Sequence, residues 1–269
     1  MQTRIRTLFE RLAAGKRAGL IAYVTAGDPT PGHTPAIVAA LERGGADLIE
    51  LGVPFSDPIA DGPVIQRGSD RALKAGTTVP RVLDMAREIR RRSQIPLLLF
   101  SYLNPLLRYG FARLAKDAAA AGIDGVLLTD LSVEEAGPHV DAIWKAGLDT
   151  VFLAAPTSTA ERMRLVAEYS TGFVYLVSRA GVTGEQTSLP ASIEPLVSAM
   201  RAETGLPLAV GFGISTAEQA AAVARLADGV VIGSAFVRLI EKHQSDPGLF
   251  EAIEEFTAPI ARAVRSSKS

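Results

Sequence analysis

The sequence predicts an α/β fold: a (β/α)8 barrel of the TIM type, with an extra N-terminal helix and additional helices. Three observations predict it. Eight short, almost wholly apolar runs alternate along 269 residues with segments whose apolar side chains recur at helical spacing. Runs that are apolar on both faces belong to parallel strands covered by helices. A weak repeat, Gly45-Ala46-Asp47, Gly122-Ile123-Asp124, Gly147-Leu148-Asp149 and Ala227-Asp228-Gly229, ends a helix and launches a strand each time. Repeated strand–helix units impose right-handed crossovers between parallel strands. Eight of them point to a closed barrel, and about 250 residues is an ordinary length for one. No long Pro-, Gly- or Ser-rich linker divides the chain, so residues 1–269 read as one domain.

In order, residues 2–14 form the opening helix, with Ile5, Leu8, Phe9 and Leu12 at helical spacing. The expected strands are 20–25, 47–51, 96–102, 125–130, 150–154, 172–177, 206–212 and 229–233. Helical stretches fall between them at 34–44, 62–75, 78–92, 110–121, 132–146, 159–169, 191–204, 215–224 and 234–243. Glycines after three of these suit the left-handed residue that follows a helix. A last helix, 247–264, closes the chain.

A net charge of −1 argues against nucleic acid as the main partner, since nucleic-acid binders show basic patches. The absence of Cys excludes a disulfide scaffold and a thiolate metal site. His33, His139 and His243 lack metal-ligand spacing and read as surface residues, so no metal is expected. Residues 1–19 have no apolar core of signal-peptide length, and no run of about 18 apolar residues could span a membrane. The chain is expected to be cytoplasmic.

A barrel locates chemistry at the C-terminal ends of its strands. Glu50 is a carboxylate in the apolar run of the second strand, and Asp61 follows in a loop stiffened by Pro54 and Pro58. A charge at the end of a buried strand is costly unless it is paired or faces a wet cleft. Two carboxylates near one cleft suit proton transfer. These residues alone leave other readings open: Glu50 paired with an Arg, and Asp61 as the cap of the helix that starts at Gly62-Pro63. Tyr175, in the sixth strand, is either a core aromatic or a site residue. Three glycine elements follow the last strands: Gly181-Val182-Thr183-Gly184, Gly211-Phe212-Gly213 and Gly233-Ser234. Glycines let backbone N–H groups approach an anion, and Ser234 opens a helix whose N-terminus favours negative charge. Together they predict a phosphate site. The polar loop 178–190 is long for an ordinary connection and predicts a lid beside it.

Glu50 to Pro58, Ala60-Asp61-Gly62-Pro63, Ser178 to Gly184 and Gly211-Phe212-Gly213-Ile214-Ser215 resemble the α subunit of tryptophan synthase over nearly the whole chain. The resemblance implies a lyase that reversibly cleaves indole-3-glycerol phosphate to indole and glyceraldehyde 3-phosphate. It implies Glu50 as the proton-shuttling catalytic group and Asp61 as the carboxylate that stabilises the indole N–H. Tyr175, Thr183, Phe100, Tyr102, Thr129 and Phe212 are implied around the substrate. Gly184, Gly213, Gly233 and Ser234 are expected at the phosphate.

No cofactor is implied in this subunit; pyridoxal phosphate belongs to a β subunit, the partner in an α2β2 heterotetramer that receives the indole. Asp57, Pro58, Asn104 and Ser132 are expected at that interface. The apolar loop residues Pro58, Ile59, Leu106 and Leu107 are expected to dock there or lie under neighbouring loops. A stand-alone lyase without a β partner is the alternative. Two positions depart from the usual pattern: Ser132 stands where Pro is common, and Tyr23 where Phe is common.

Overall fold

The computed structural model describes residues 2–177, 192–211 and 213–267. Eight strands close into a barrel in chain order: β1 (Gly19–Thr25), β2 (Leu48–Gly52), β3 (Leu97–Ser101), β4 (Gly125–Leu128), β5 (Asp149–Ala154), β6 (Val174–Val177), β7 (Leu208–Gly211) and β8 (Gly229–Ile232). Every pairing is parallel, and β8 returns to β1. The helices are α1 (Arg4–Ala14), α2 (Thr34–Gly44), α3 (Pro63–Lys74), α4 (Val79–Arg90), α5 (Leu103–Tyr109), α6 (Phe111–Ala120), α7 (Gly137–Lys145), α8 (Ala160–Tyr169), α9 (Ile193–Glu203), α10 (Ala217–Ala224), α11 (Ser234–His243) and α12 (Leu249–Ser266).

Alternation along each strand separates two cores. Leu20, Ala22, Val24, Ile49, Leu51, Leu97, Leu99, Val210 and Val230 point outward into a continuous shell shared with the helices. Ile21, Leu48, Leu98, Leu127, Val151, Ala209 and Val231 point inward. The opening helix α1 closes the N-terminal end of the barrel. Its Ile5, Leu8, Phe9 and Leu12 join the inner core, and Phe9 meets Phe173 at 5.4 Å between ring centres. Burial of such side chains contributes roughly 1.5–3 kcal/mol each. With one end stoppered, a ligand has access only from the other.

The Gly-x-Asp repeat serves that stoppered end. Gly45, Gly122 and Gly147 take φ of 105°, 83° and 80°, a left-handed geometry that favours glycine. The following aspartates accept N–H groups of neighbouring strands. Asp47 accepts from Leu20 at 3.0 Å, Asp124 from Leu97 at 2.9 Å and Asp228 from Leu208 at 2.9 Å. Arg17, Arg90 and Arg201 pair with these carboxylates in turn. This end is built for stability, leaving chemistry to the opposite rim.

The helical pattern expected over 110–121 is α6, and a further helix, α5, precedes it in a segment expected to be a loop. Pro105 sits in its first turn, where no N–H donor is needed. The start of α5 is held from afar: Leu103 N–H donates to Asp130 Oδ1 at 2.7 Å. Leu106, expected among the docking residues, lies fully buried in the outer core, because α5 turns it inward. The stretch 132–146 is likewise split into a 3-10 turn, Val133–Glu135, and α7. Thr183, Gly184, Phe212 and the whole 178–190 segment lie outside the described residues.

Candidate active site

Glu50 lies mid-strand in β2, in register with Tyr23 of β1 and Leu98 of β3. It is 1% exposed, and its Oε1 has no hydrogen-bond partner among the described residues. Among the described residues no Arg pairs with it, which argues against the structural ion-pair reading. Burial alone raises its carboxyl to about 8, because desolvation penalises the charged form.

Asp61 is placed by its loop. Its N–H donates to Pro58 O at 3.0 Å, and its carbonyl accepts from Gln66 Nε2 at 2.9 Å. The cap of α3 is Gly62, so the Asp61 carboxylate is not spent as a cap. It accepts instead from the Tyr102 hydroxyl at 3.0 Å, and that hydroxyl accepts the Ala60 N–H at 3.0 Å. Phe55 packs on Tyr102 at 5.2 Å. Burial raises Asp61 to about 6, opposed by the Tyr102 hydrogen bond. Near pH 7 Glu50 therefore keeps its proton while Asp61 is mostly ionised. Environments that push two carboxyl groups apart mark an acid and a charge stabiliser.

A cavity of about 430 Å³ opens at the C-terminal ends of β3 to β6, within the range of small-ligand sites. Phe100, Leu153 and Val177 give it apolar walls, and Asp61, Thr129 and Tyr175 give it polar points. Glu50 lies buried in the barrel and is not part of the cavity wall. Burial, then the nearby Glu50 and Asp61 carboxylates, push the Tyr175 phenol well above its ordinary range, so it stays a neutral donor. Its hydroxyl is seated against Gly211, where any Cβ would overlap it. Tyr102 does not line this cavity; it holds Asp61 from behind.

Leu153, Val177 and the turn after β5 (Thr157, Ser158 and Arg162 beyond it) line the cavity and were not anticipated. Inward alternation in β5 could have found Leu153. Arg162 had no signal, because it sits inside α8 and is tied to Glu134 at 3.5 Å.

The glycine elements that are described lie after β7 and β8. Gly213 adopts φ 61°. Ser234 is the first residue of α11, is buried, and follows Gly233; no side chain caps this helix. Helix N-termini leave N–H groups for an anion. A Gly213→Val chain is expected to bind glycerol phosphate at least about tenfold more weakly, a loss of about 1.4 kcal/mol, because a β-branched residue resists positive φ. Free indole should bind as before. Calorimetric titration with each ligand checks this, and unchanged glycerol phosphate affinity would move the anion site elsewhere.

Around the same rim Asp57 and Asn104 are exposed and Pro58 and Ser132 half-buried. Ile59 and Leu107 are 79% and 47% exposed, unusual for large apolar side chains. Among the described residues no group of three or more His, Asp or Glu side chains is arranged to hold a metal, and no helix is long and apolar enough to cross a membrane.

The closed barrel and its two desolvated carboxyl groups define a class: (β/α)8 proteins equipped for proton transfer at the C-terminal mouth. The chain belongs to the tryptophan synthase alpha chain family, whose model matches residues 9–264. It is 66% identical over 260 residues to the tryptophan synthase alpha chain of Solibacter usitatus, covering 97% of both chains. It is 51% identical to that of Geobacter sulfurreducens, covering 89% of this chain and 91% of the relative. Among solved structures, it superposes on the Legionella pneumophila alpha subunit with a TM-score of 0.91 at 38% identity, covering 98% and 99% of the two chains. A chain of Mycobacterium tuberculosis tryptophan synthase gives 0.91 at 37% identity with the same coverage.

Proposed function

We propose that this chain is a tryptophan synthase α subunit that cleaves indole-3-glycerol phosphate reversibly to indole and glyceraldehyde 3-phosphate. The observation that carries the reading is the pair of buried carboxyl groups held at different protonation, Glu50 at about 8 and Asp61 at about 6. Cleavage needs a proton delivered to indole C3 and a proton removed from the hydroxyl on the adjacent glycerol carbon. The bond between those two carbons then breaks, its electrons return to the indole ring, and the glycerol carbon becomes the aldehyde. Glu50, protonated near neutral pH, donates the first proton and, once ionised, accepts the second.

Protonation at C3 leaves positive charge at the indole nitrogen, and the Asp61 carboxylate stabilises it. Phe100, Leu153 and Val177 sandwich the ring, while Thr129 and Tyr175 offer hydroxyls. Gly213, Gly233 and Ser234 hold the phosphate, together with Gly184. Tyr102 keeps Asp61 aimed.

The subunit works with a β subunit in an α2β2 assembly in the cytoplasm, and the β subunit carries pyridoxal phosphate. Residues 1–269 act as one barrel domain. Ile59 and Leu107, with Asp57, Pro58, Asn104 and Ser132, form the docking rim, so that indole passes between subunits without entering water. An indole-release assay with and without the β subunit tests this. The β subunit is expected to raise the cleavage rate, with coupling of about 1–3 kcal/mol. Equal rates in both arms would favour a stand-alone lyase, and no indole in either would refute the activity.

A further inference from the structure

We propose that the Tyr23 hydroxyl is the positioning group that receives the Glu50 carboxylate when it is ionised during turnover. The inference rests on Glu50 being the proton-shuttling group. Tyr23 and Glu50 face each other in register on β1 and β2, both with side chains inside the barrel. Tyr23 is 5% exposed and is wedged by Phe100, edge-on at 5.1 Å and 75°. Its phenol leans across β2: a Cβ on Gly52 would overlap the hydroxyl. Gly52 stands two residues beyond Glu50 on the same face of that strand, toward the barrel mouth. The hydroxyl is therefore seated one step above Glu50, between it and the open end.

Both groups are short of partners. Among the described residues the Tyr23 hydroxyl's hydrogen-bond partner is Thr25 Oγ1 at 3.5 Å, the outer limit for such a bond. Glu50 Oε1 has no partner. The resting, neutral carboxyl tolerates this; an ionised one in the same dry interior does not. After donating its proton Glu50 must remain ionised until it takes the next. Rotation about its side-chain torsions carries the carboxylate up β2 toward Gly52, under a donor already in place. No bond of Tyr23 breaks: the proton moves only between Glu50 and substrate, and Tyr23 keeps its own.

The other titratable groups facing this space make the assignment specific. Asp61 presents a like charge, which increases the need for a donor, and its bond to Tyr102 occupies that phenol. Tyr175 faces Glu50 from β6, but it lines the ligand cavity. Tyr23 does not line the cavity, and its long contact with Thr25 leaves its proton available to the carboxylate. Burial, with Asp61 and Glu50 nearby, holds its phenol well above the ordinary range, so it remains a donor at any working pH.

Tyr23→Phe removes one buried oxygen and keeps the ring, so the melting temperature should hardly change. The test measures single-turnover cleavage at saturating substrate, and kcat/KM, against pH in the full chain. The first reports the substrate complex and the second the free enzyme. A hydrogen bond to the charged form lowers a carboxyl pKa, so its loss should raise the alkaline limb of the single-turnover profile by about one unit, tenfold in the protonation equilibrium. The kcat/KM limb should rise with it, because Glu50 ionised in the free chain reaches the same hydroxyl by the same rotation. Profiles that coincide with those of the unsubstituted chain, or alkaline limbs that move down, would overturn the inference. Glu50→Gln is run in parallel. If that variant cleaves normally, the shuttle itself is wrong and the inference falls with it; if it is dead while Tyr23→Phe is unshifted, only the Tyr23 role fails.

Discussion

Glu50→Gln is expected to lower cleavage of indole-3-glycerol phosphate by about 10²–10⁴-fold or more, since in the proposed mechanism one group serves as both acid and base. The amide keeps the shape of a protonated carboxyl and can still hydrogen-bond, but it neither gives nor takes a proton. Stability separates this loss from misfolding. Burial raises the Glu50 carboxyl from its ordinary value to about 8 in the folded chain. A raised carboxyl pKa means that the folded state holds a proton the unfolded state releases. Stability from this group is thus fully present below the unfolded pKa and is lost as pH rises through about 8. Gln stays neutral throughout and carries no such loss. The variant should melt at or above the unsubstituted chain at pH 8 while turning over far more slowly. Near-normal turnover at saturating substrate would remove Glu50 from the chemistry.

That liability is also what made the residue visible in the sequence. A lone carboxylate in the apolar run of β2 breaks the pattern of a parallel strand, and no described residue pairs with its Oε1. The eight strands were legible for the same reason, since strands covered on both faces are written as apolar runs. The glycines of the Gly-x-Asp repeat were legible because positive φ restricts the residue type. The roles of the aspartates were not, because Asp47 and Asp124 each meet an N–H of a neighbouring strand and Asp149 meets side chains of Thr3, Arg6 and Thr171 far away in sequence. The short helix α5 was missed for a related cause: its first N–H is held by Asp130, 27 residues further on.

Distance in sequence hid part of the site as well. Tyr102 reads as another aromatic at a strand end, yet its hydroxyl is committed to Asp61, 41 residues back. Arg162 reaches the cavity from a polar helix whose pattern says only that it faces solvent. Local rules found the groups that pay a penalty where they stand. Groups that act through a neighbour needed the barrel to be closed first.

Asp61→Asn should produce the second-largest loss, about 10²–10³-fold in turnover, comparable to removing one preorganised electrostatic partner from a dry site. The substitution keeps an oxygen to accept the Tyr102 hydrogen bond, so the loop from Pro54 to Gly62 should hold its course. Only the charge goes, and with it the stabilisation of the protonated indole ring. On the proposed reading Asp61 meets the indole ring, and neither Gly213 nor Ser234 is in the cavity wall that it lines, so glycerol phosphate affinity should stay within about twofold, under half a kcal/mol. The pH profile adds an independent reading. Asp61 is held at about 6 by burial against the Tyr102 bond, so cleavage by the unsubstituted chain should fall as pH drops through that value and the carboxylate takes up a proton. Asn has nothing to titrate, and the acid limb near 6 should vanish while the alkaline limb set by Glu50 near 8 persists. An Asn variant that keeps the acid limb would assign that limb to another group and leave Asp61 with no charge-stabilising role.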